Sequence, residues 1–218
     1  MPKQLLLIIL IIVATAAQAQ TPFTADYRLP EGIYLSHASV LSAQPDLKWD
    51  AISGEMVQLP ETFRLQIGDY QYKDPNLDQD LVPYAVSLEG QLYLFLRNNR
   101  ERNFHDFVGL SVAGTLSIIT YDTTIQTRQL MKAYNPVNGR PFREAYVERS
   151  KTVPLTKIWH LPSGRLVPLR RADLLAFIGN DEELTQALLK LDEVTEDLLL
   201  RAVKLYDDRH PTLIGQTP

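Results

Sequence analysis

Asp74, Asn76, Asp78 and Asp80 alternate along "DPNLDQDL" at the spacing with which a calcium loop sets its oxygen ligands. Such a loop needs Gly at its sixth position for the sharp turn and Glu at its twelfth as a bidentate ligand. Here those positions hold Gln79 and Ala85. The stretch therefore reads as a weak calcium candidate set against a solvated acidic loop built from Asx turns, and the second reading fits the residues better. The four histidines, His37, His105, His160 and His210, are never three or four residues apart, and there is no cysteine to complete a metal site. Ser111 lies in "GLSVAG", which imitates a hydrolase nucleophile elbow, but an elbow needs a helix after the serine and "TLSIITY" has the pattern of a strand. Glu144 and Glu148 could share one strand face as a glycosidase pair, yet Arg143, Arg149 and Lys151 interleave with them as on a charged surface. "RNNRERNF" (97–104) reads as a polar connection. The residues assign no catalytic role, no cofactor and no firm metal site.

The elements that would position any such chemistry fall into two regimes, with the hydrophobic period changing near residue 172. Before it, short apolar runs alternate with turn residues. "VSLEGQLYLFLR" folds about Glu89-Gly90, which places Val86 opposite Tyr93 and Tyr84 opposite Phe95, with Leu92, Leu94 and Leu96 on the other face. Both faces are apolar, so this hairpin is expected to be a wall of the core, covered on one side by the C-terminal helices. Two more hairpins are expected at Ala113-Gly114 and Ser163-Gly164, the first setting Leu110 opposite Ser117 and the second setting Leu161 opposite Leu166. Pro162 and Pro168 cannot donate to a ladder and put the third hairpin at a sheet edge.

After residue 172 the leucines recur at helical spacing. Asp173 is expected to cap a short helix that ends at Gly179, and Asn180 with Glu183 forms a capping-box pattern for a second. Asp192 is expected to cap a third, with Val194, Leu198, Ala202 and Leu205 as its apolar stripe, widened by Leu199, Val203 and Tyr206. The expected fold is α+β: a twisted antiparallel sheet built from hairpins over 20–171, packed against two or three C-terminal helices within 172–210, in a single domain over 20–218.

The first 19 residues combine Lys3, an apolar run from Leu5 to Val13 and the small-residue end Ala17-Gln18-Ala19. That is the pattern of a secretory signal peptide cleaved before Gln20, and its apolar run is too short to span a bilayer. Without Lys3 the charge becomes 21 − 26 = −5. An acidic chain without a basic block does not suit nucleic acid. With no cysteine, the exported fold must rest on an ordinary core. Residues 20–28 and 212–218 are expected to be loosely held.

"GIYLSHASVLSAQPDL", "SGRLVPLRRADLLAFIGNDEELTQALLKL" and the closing "VKLYDDRHP" resemble a family of exported proteins of Gram-negative gut and environmental bacteria, which open on a Gly-Ile-Tyr motif and end in helices and an Arg-His-Pro-like segment. That family has no established activity. The resemblance implies export to the periplasm or beyond and a strand-turn-strand-then-helix order. The expectation that follows is a non-catalytic binding or envelope-associated accessory protein whose partner is a protein or envelope component. A small secreted hydrolase with a site assembled only in the fold, and an assembly factor for another exported protein, are the alternatives.

Overall fold

A computed structural model describes residues 21–99, 104–134, 136, 137, 139 and 141–215. The expected leader, and most of the arginine-rich connection after Asn99, lie outside the described residues. The chain runs through β1 (Thr21–Pro22), β2 (Gly32–Tyr34), α1 (His37–Leu41), β3 (Ile52–Leu59), β4 (Arg64–Tyr72), β5 (Ala85–Leu88), β6 (Gln91–Asn99), β7 (Phe104–Gly109), β8 (Leu116–Tyr134), β9 (Pro141–His160) and β10 (Arg165–Pro168). It closes with α2 (Arg171–Phe177), α3 (Glu182–Leu189), α4 (Glu196–Arg209) and β11 (Leu213–Ile214). The fold is α+β, as the change of period implies. Among the described residues no helix is long and apolar enough to cross a membrane.

All strand pairs are antiparallel, in a six-stranded sheet of order β2-β5-β6-β7-β4-β3, a three-stranded sheet β10-β9-β8 and a short pair β1-β11. The pairing of Thr21 with Ile214 and the burial of Phe23 and Ile214 overturn the expectation of loosely held ends for 21–28 and 212–215; residues 20 and 216–218 lie outside the described residues. Three apolar layers follow. Helices α2–α4 cover Leu116, Ile118 and Ile158 on one face of the three-stranded sheet. Its other face offers Ile119 and Trp159 to Tyr34, Ala85, Leu94 and Val108 of the six-stranded sheet. The far face of the six-stranded sheet encloses Val86, Tyr93, Phe107, Leu65 and Ile67 with Trp49 packed alongside. The helices thus do not cover the first hairpin as expected, because the three-stranded sheet lies between.

The first hairpin has the expected register, Val86 opposite Tyr93, with Glu89 and Gly90 both at positive φ (53° and 76°). Two positive φ values match the right-handed twist of the flanking strands, and the glycine supplies one without steric cost. Tyr84 departs from its expected face and packs with the core between the sheets. The second hairpin differs: Ile118 bridges Val112, and β7 and β8 join different sheets, so Ala113-Gly114 opens a corner and not a two-residue turn. The third pairs Arg165 with His160 and Leu166 with Trp159, with a 3-10 turn at Leu161–Ser163 absorbing two further residues before Gly164 at φ 68°. Its strand β10 is an edge, as the prolines require.

Helix starts shift by a few residues. Asp173 lies in the first turn of α2, Asp181 caps α3 by accepting the Leu184 N–H at 3.0 Å, and Thr195 caps α4. The buried stripe of α4 is Leu199, Ala202, Val203 and Tyr206, while Leu205 is exposed; the helix is rotated relative to the expected stripe.

Candidate functional site

The position of β5 beside β2 brings Leu35 next to Tyr84, and the packing of the two sheets brings both to Trp159 and the Gly164 turn. Together with Val82, Phe95 and Leu166 they enclose a cleft of about 310 Å³ open to solvent. A cavity of this size suits a small apolar group. Each wall has a sequence cause. Leu35 follows the Gly-Ile-Tyr strand; Phe95 follows from the register of the first hairpin; Trp159 and Leu166 face each other across β9 and β10.

The polar atoms behind this cleft are turned to internal partners. Trp159 Nε1 donates to Tyr84 Oη at 3.0 Å, and Tyr84 Oη lies 3.5 Å from the Gly164 carbonyl oxygen. His37, on the first turn of α1, bonds through Nε2 to the Leu161 carbonyl at 2.7 Å and sets its ring edge-on to Tyr84 and Trp159, 5.8 and 6.2 Å away. Gly164 is required here: a Cβ would meet the His37 ring at 2.9 Å, at a backbone angle that L side chains rarely adopt. Burial raises the Tyr84 pKa, with the Trp159 bond acting in the opposite sense, so the phenol is neutral near pH 7. Tyr84 is the one titratable side chain among the described residues that line the cleft.

The other sequence candidates are dispersed. The Asp74 carboxylate accepts the Asn76 N–H, and Asp78 accepts the Asp80 N–H, both at 2.9 Å: the expected Asx turns. The exposed Gln79 folds back on β4, accepting the Tyr72 N–H at 3.0 Å and donating to the Tyr72 carbonyl at 3.2 Å, as a ladder neighbour would. Among the described residues no group of three or more His, Asp or Glu side chains could hold a metal ion. His105 packs against Tyr70 and Phe95, and burial lowers its pKa. His160 bonds Ser163 Oγ at 2.7 Å and stacks on Phe177; burial first, then Arg165 and His37, lower its pKa. His210 lies 3.4 Å from Asp181 Oδ2. Ser111 Oγ donates to the Ile118 carbonyl at 3.1 Å. Glu144 pairs with Lys132 across the ribbon at 2.9 Å, and Glu148 is exposed.

Two buried carboxylates escape sequence reading. Asp106 is fully buried and bonded by Arg64, with Arg97 at 3.3 Å. Asp207 accepts the Leu116 N–H at 2.7 Å through Oδ1, while its buried Oδ2 has no hydrogen-bond partner, and burial pushes its pKa up to about 7. The signal for the first was an aspartate within the apolar run "FHDFVG"; the second had none.

Comparison with known protein families, with curated proteins and with solved structures yields no match, so the functional reading rests on the geometry.

Proposed function

We propose that this protein is an exported, non-catalytic binding protein of the cell envelope that holds a small apolar group in the cleft between its two sheets. The observation that carries this reading is the construction of the cleft: walls of Leu35, Val82, Phe95, Leu166, Tyr84 and Trp159, with Trp159 Nε1 bonded to Tyr84 Oη and His37 Nε2 to the Leu161 carbonyl. A site for proton transfer or nucleophilic attack needs a side chain aimed at the substrate and a base within hydrogen-bond reach. This cleft offers apolar surface and one neutral phenol, which suits retention of an aliphatic or aromatic group from an acyl chain or a partner's side chain. The leader pattern of residues 1–19 supports export, and the mass of the processed chain should place its N-terminus at Gln20; recovery of the intact leader would refute that part.

The non-catalytic reading is tested with ester, peptide and glycoside substrates on purified protein. No turnover is expected. Reproducible turnover lost on substitution of His37, His105, His160, His210 or Ser111 would overturn it.

A further inference from the structure

Strands β8 and β9 run far beyond the body they leave. They are 19 and 20 residues long and pair continuously from Leu116 opposite His160 to Ala133 opposite Arg143. From Thr124 to Tyr134, β8 is exposed throughout, a two-stranded ribbon of roughly 35 Å at strand rise. A lone pair of strands is marginal in water, and among the described residues no third strand pairs with this outer stretch.

The two edges are not equivalent. Ile118 donates its N–H to Val112 and accepts from Ser111 through its carbonyl, so both groups point away from β9. Alternation along a strand then gives Thr120, Asp122, Thr124, Gln126, Arg128, Leu130 and Lys132 the same outward direction. On β9 the Thr156 carbonyl accepts the Leu169 N–H on the far side, which fixes the matching outward set and places Pro154 in it. Pro154 has no N–H to offer, so the β9 edge is interrupted where it leaves β10. The β8 edge has no proline from Thr120 to Tyr134 and is rich in threonine. Among the described residues it is a long edge with no further strand beside it, of the kind that sheet proteins ordinarily blunt.

We propose that a second copy of this chain covers that edge, the two β8 strands pairing antiparallel about a two-fold axis at Thr127. The segment is self-complementary in that register. Asp122 lies opposite Lys132 of the other copy at both ends, and Arg128 lies opposite Gln126. Moving the axis to Arg128 sets two arginines against each other, and moving it to Gln126 sets Asp122 against Leu130. Opposite charges across a strand pair stabilise and like charges oppose it. A two-fold contact of one patch with itself is the commonest closed assembly. This inference is independent of the cleft.

The absence of cysteine supplies a direct test. On the axis the two Thr127 residues form a pair that exchanges no backbone bonds, with Cα atoms about 4.5 Å apart, within disulfide range. Under mild oxidation Thr127→Cys should therefore cross-link into a covalent dimer. Thr123→Cys, whose mates lie roughly 26 Å apart at strand rise, should not. Light scattering should give twice the chain mass for the parent protein and a single chain mass for Gln126→Pro, which removes an outward N–H and leaves the β9 ladder intact. A parent protein that is monomeric at tens of micromolar overturns the proposal and leaves the edge to a strand of a different protein. Equal cross-linking at 123 and 127 also overturns it. If Gln126→Pro fails to fold, the cysteine pair decides alone.

Discussion

Trp159 Nε1 and Tyr84 Oη meet at 3.0 Å, and this bond ties the three-stranded sheet to the entry of β5 at the back of the cleft. Trp159 is 1% exposed, and Tyr84 Oη is the acceptor of its indole N–H. Tyr84→Phe keeps the ring and removes the acceptor, which should cost about 1–3 kcal/mol through the orphaned donor. A urea midpoint that falls with an unchanged slope would record it. An unmoved midpoint would mean that the bond does not hold the sheets together.

Asp207 predicts a pH dependence whose sign is fixed. Its pKa rises from 3.8 to about 7 in the folded protein, so between these values the native state binds more protons than the unfolded chain. The stability contribution of this group therefore falls as pH rises from about 4 to 7 and is level above that. His105 and His160 have lowered values and act in the opposite direction, so the parent curve alone is not diagnostic. Asp207→Asn keeps an acceptor for the Leu116 N–H and cannot ionise. Its stability relative to the parent should rise between pH 4 and 7 by on the order of 3 kcal/mol or less, and then plateau. A difference independent of pH would show that Asp207 titrates normally.

The Asp106 cluster separates a buried partner from an exposed one. Arg64, at 16% side-chain exposure, faces a fully buried carboxylate, and Arg64→Met should cost about 3–5 kcal/mol by leaving that charge uncompensated. Arg97 is 50% exposed, so Arg97→Met should cost about 1 kcal/mol or less. Thermal unfolding of the two variants compares them directly. Equal losses would contradict the assignment of Arg64 as the principal counter-charge.

What the sequence makes legible here is local. Glu89-Gly90 between alternating apolar residues forces both register and face, and Pro162 and Pro168 force an edge. The second and third hairpins share the same glycine signature but differ in loop length, because Ala113-Gly114 turns a corner between sheets and the 3-10 turn at Leu161–Ser163 takes up two residues. Neither event leaves a mark on periodicity. Asn180 and Asp181 are both good caps, and tertiary contacts separate them: Asn180 Oδ1 accepts from the Tyr206 hydroxyl, while Asp181 accepts the Leu184 N–H. The cleft is less legible still, since His37 and Leu161 are joined across 124 residues of sequence. The outer half of the β8–β9 ribbon has strand-forming residues, but β8 is exposed there among the described residues, and hydrophobic patterning does not report an element without a buried face.

The apolar cleft is tested most directly by titration with N-phenyl-1-naphthylamine, a neutral fluorescent probe. The parent protein should bind it saturably at one site, with quenching of tryptophan emission from Trp159. Leu166→Trp places bulk in the mouth of the cleft at a residue already 40% exposed, so it should leave the unfolding free energy in urea within about 0.5 kcal/mol of the parent. The same variant should weaken probe binding at least about tenfold, the equivalent of about 1.4 kcal/mol. Binding that is absent in the parent, or undiminished in a folded Leu166→Trp protein, would contradict the cleft as the functional site.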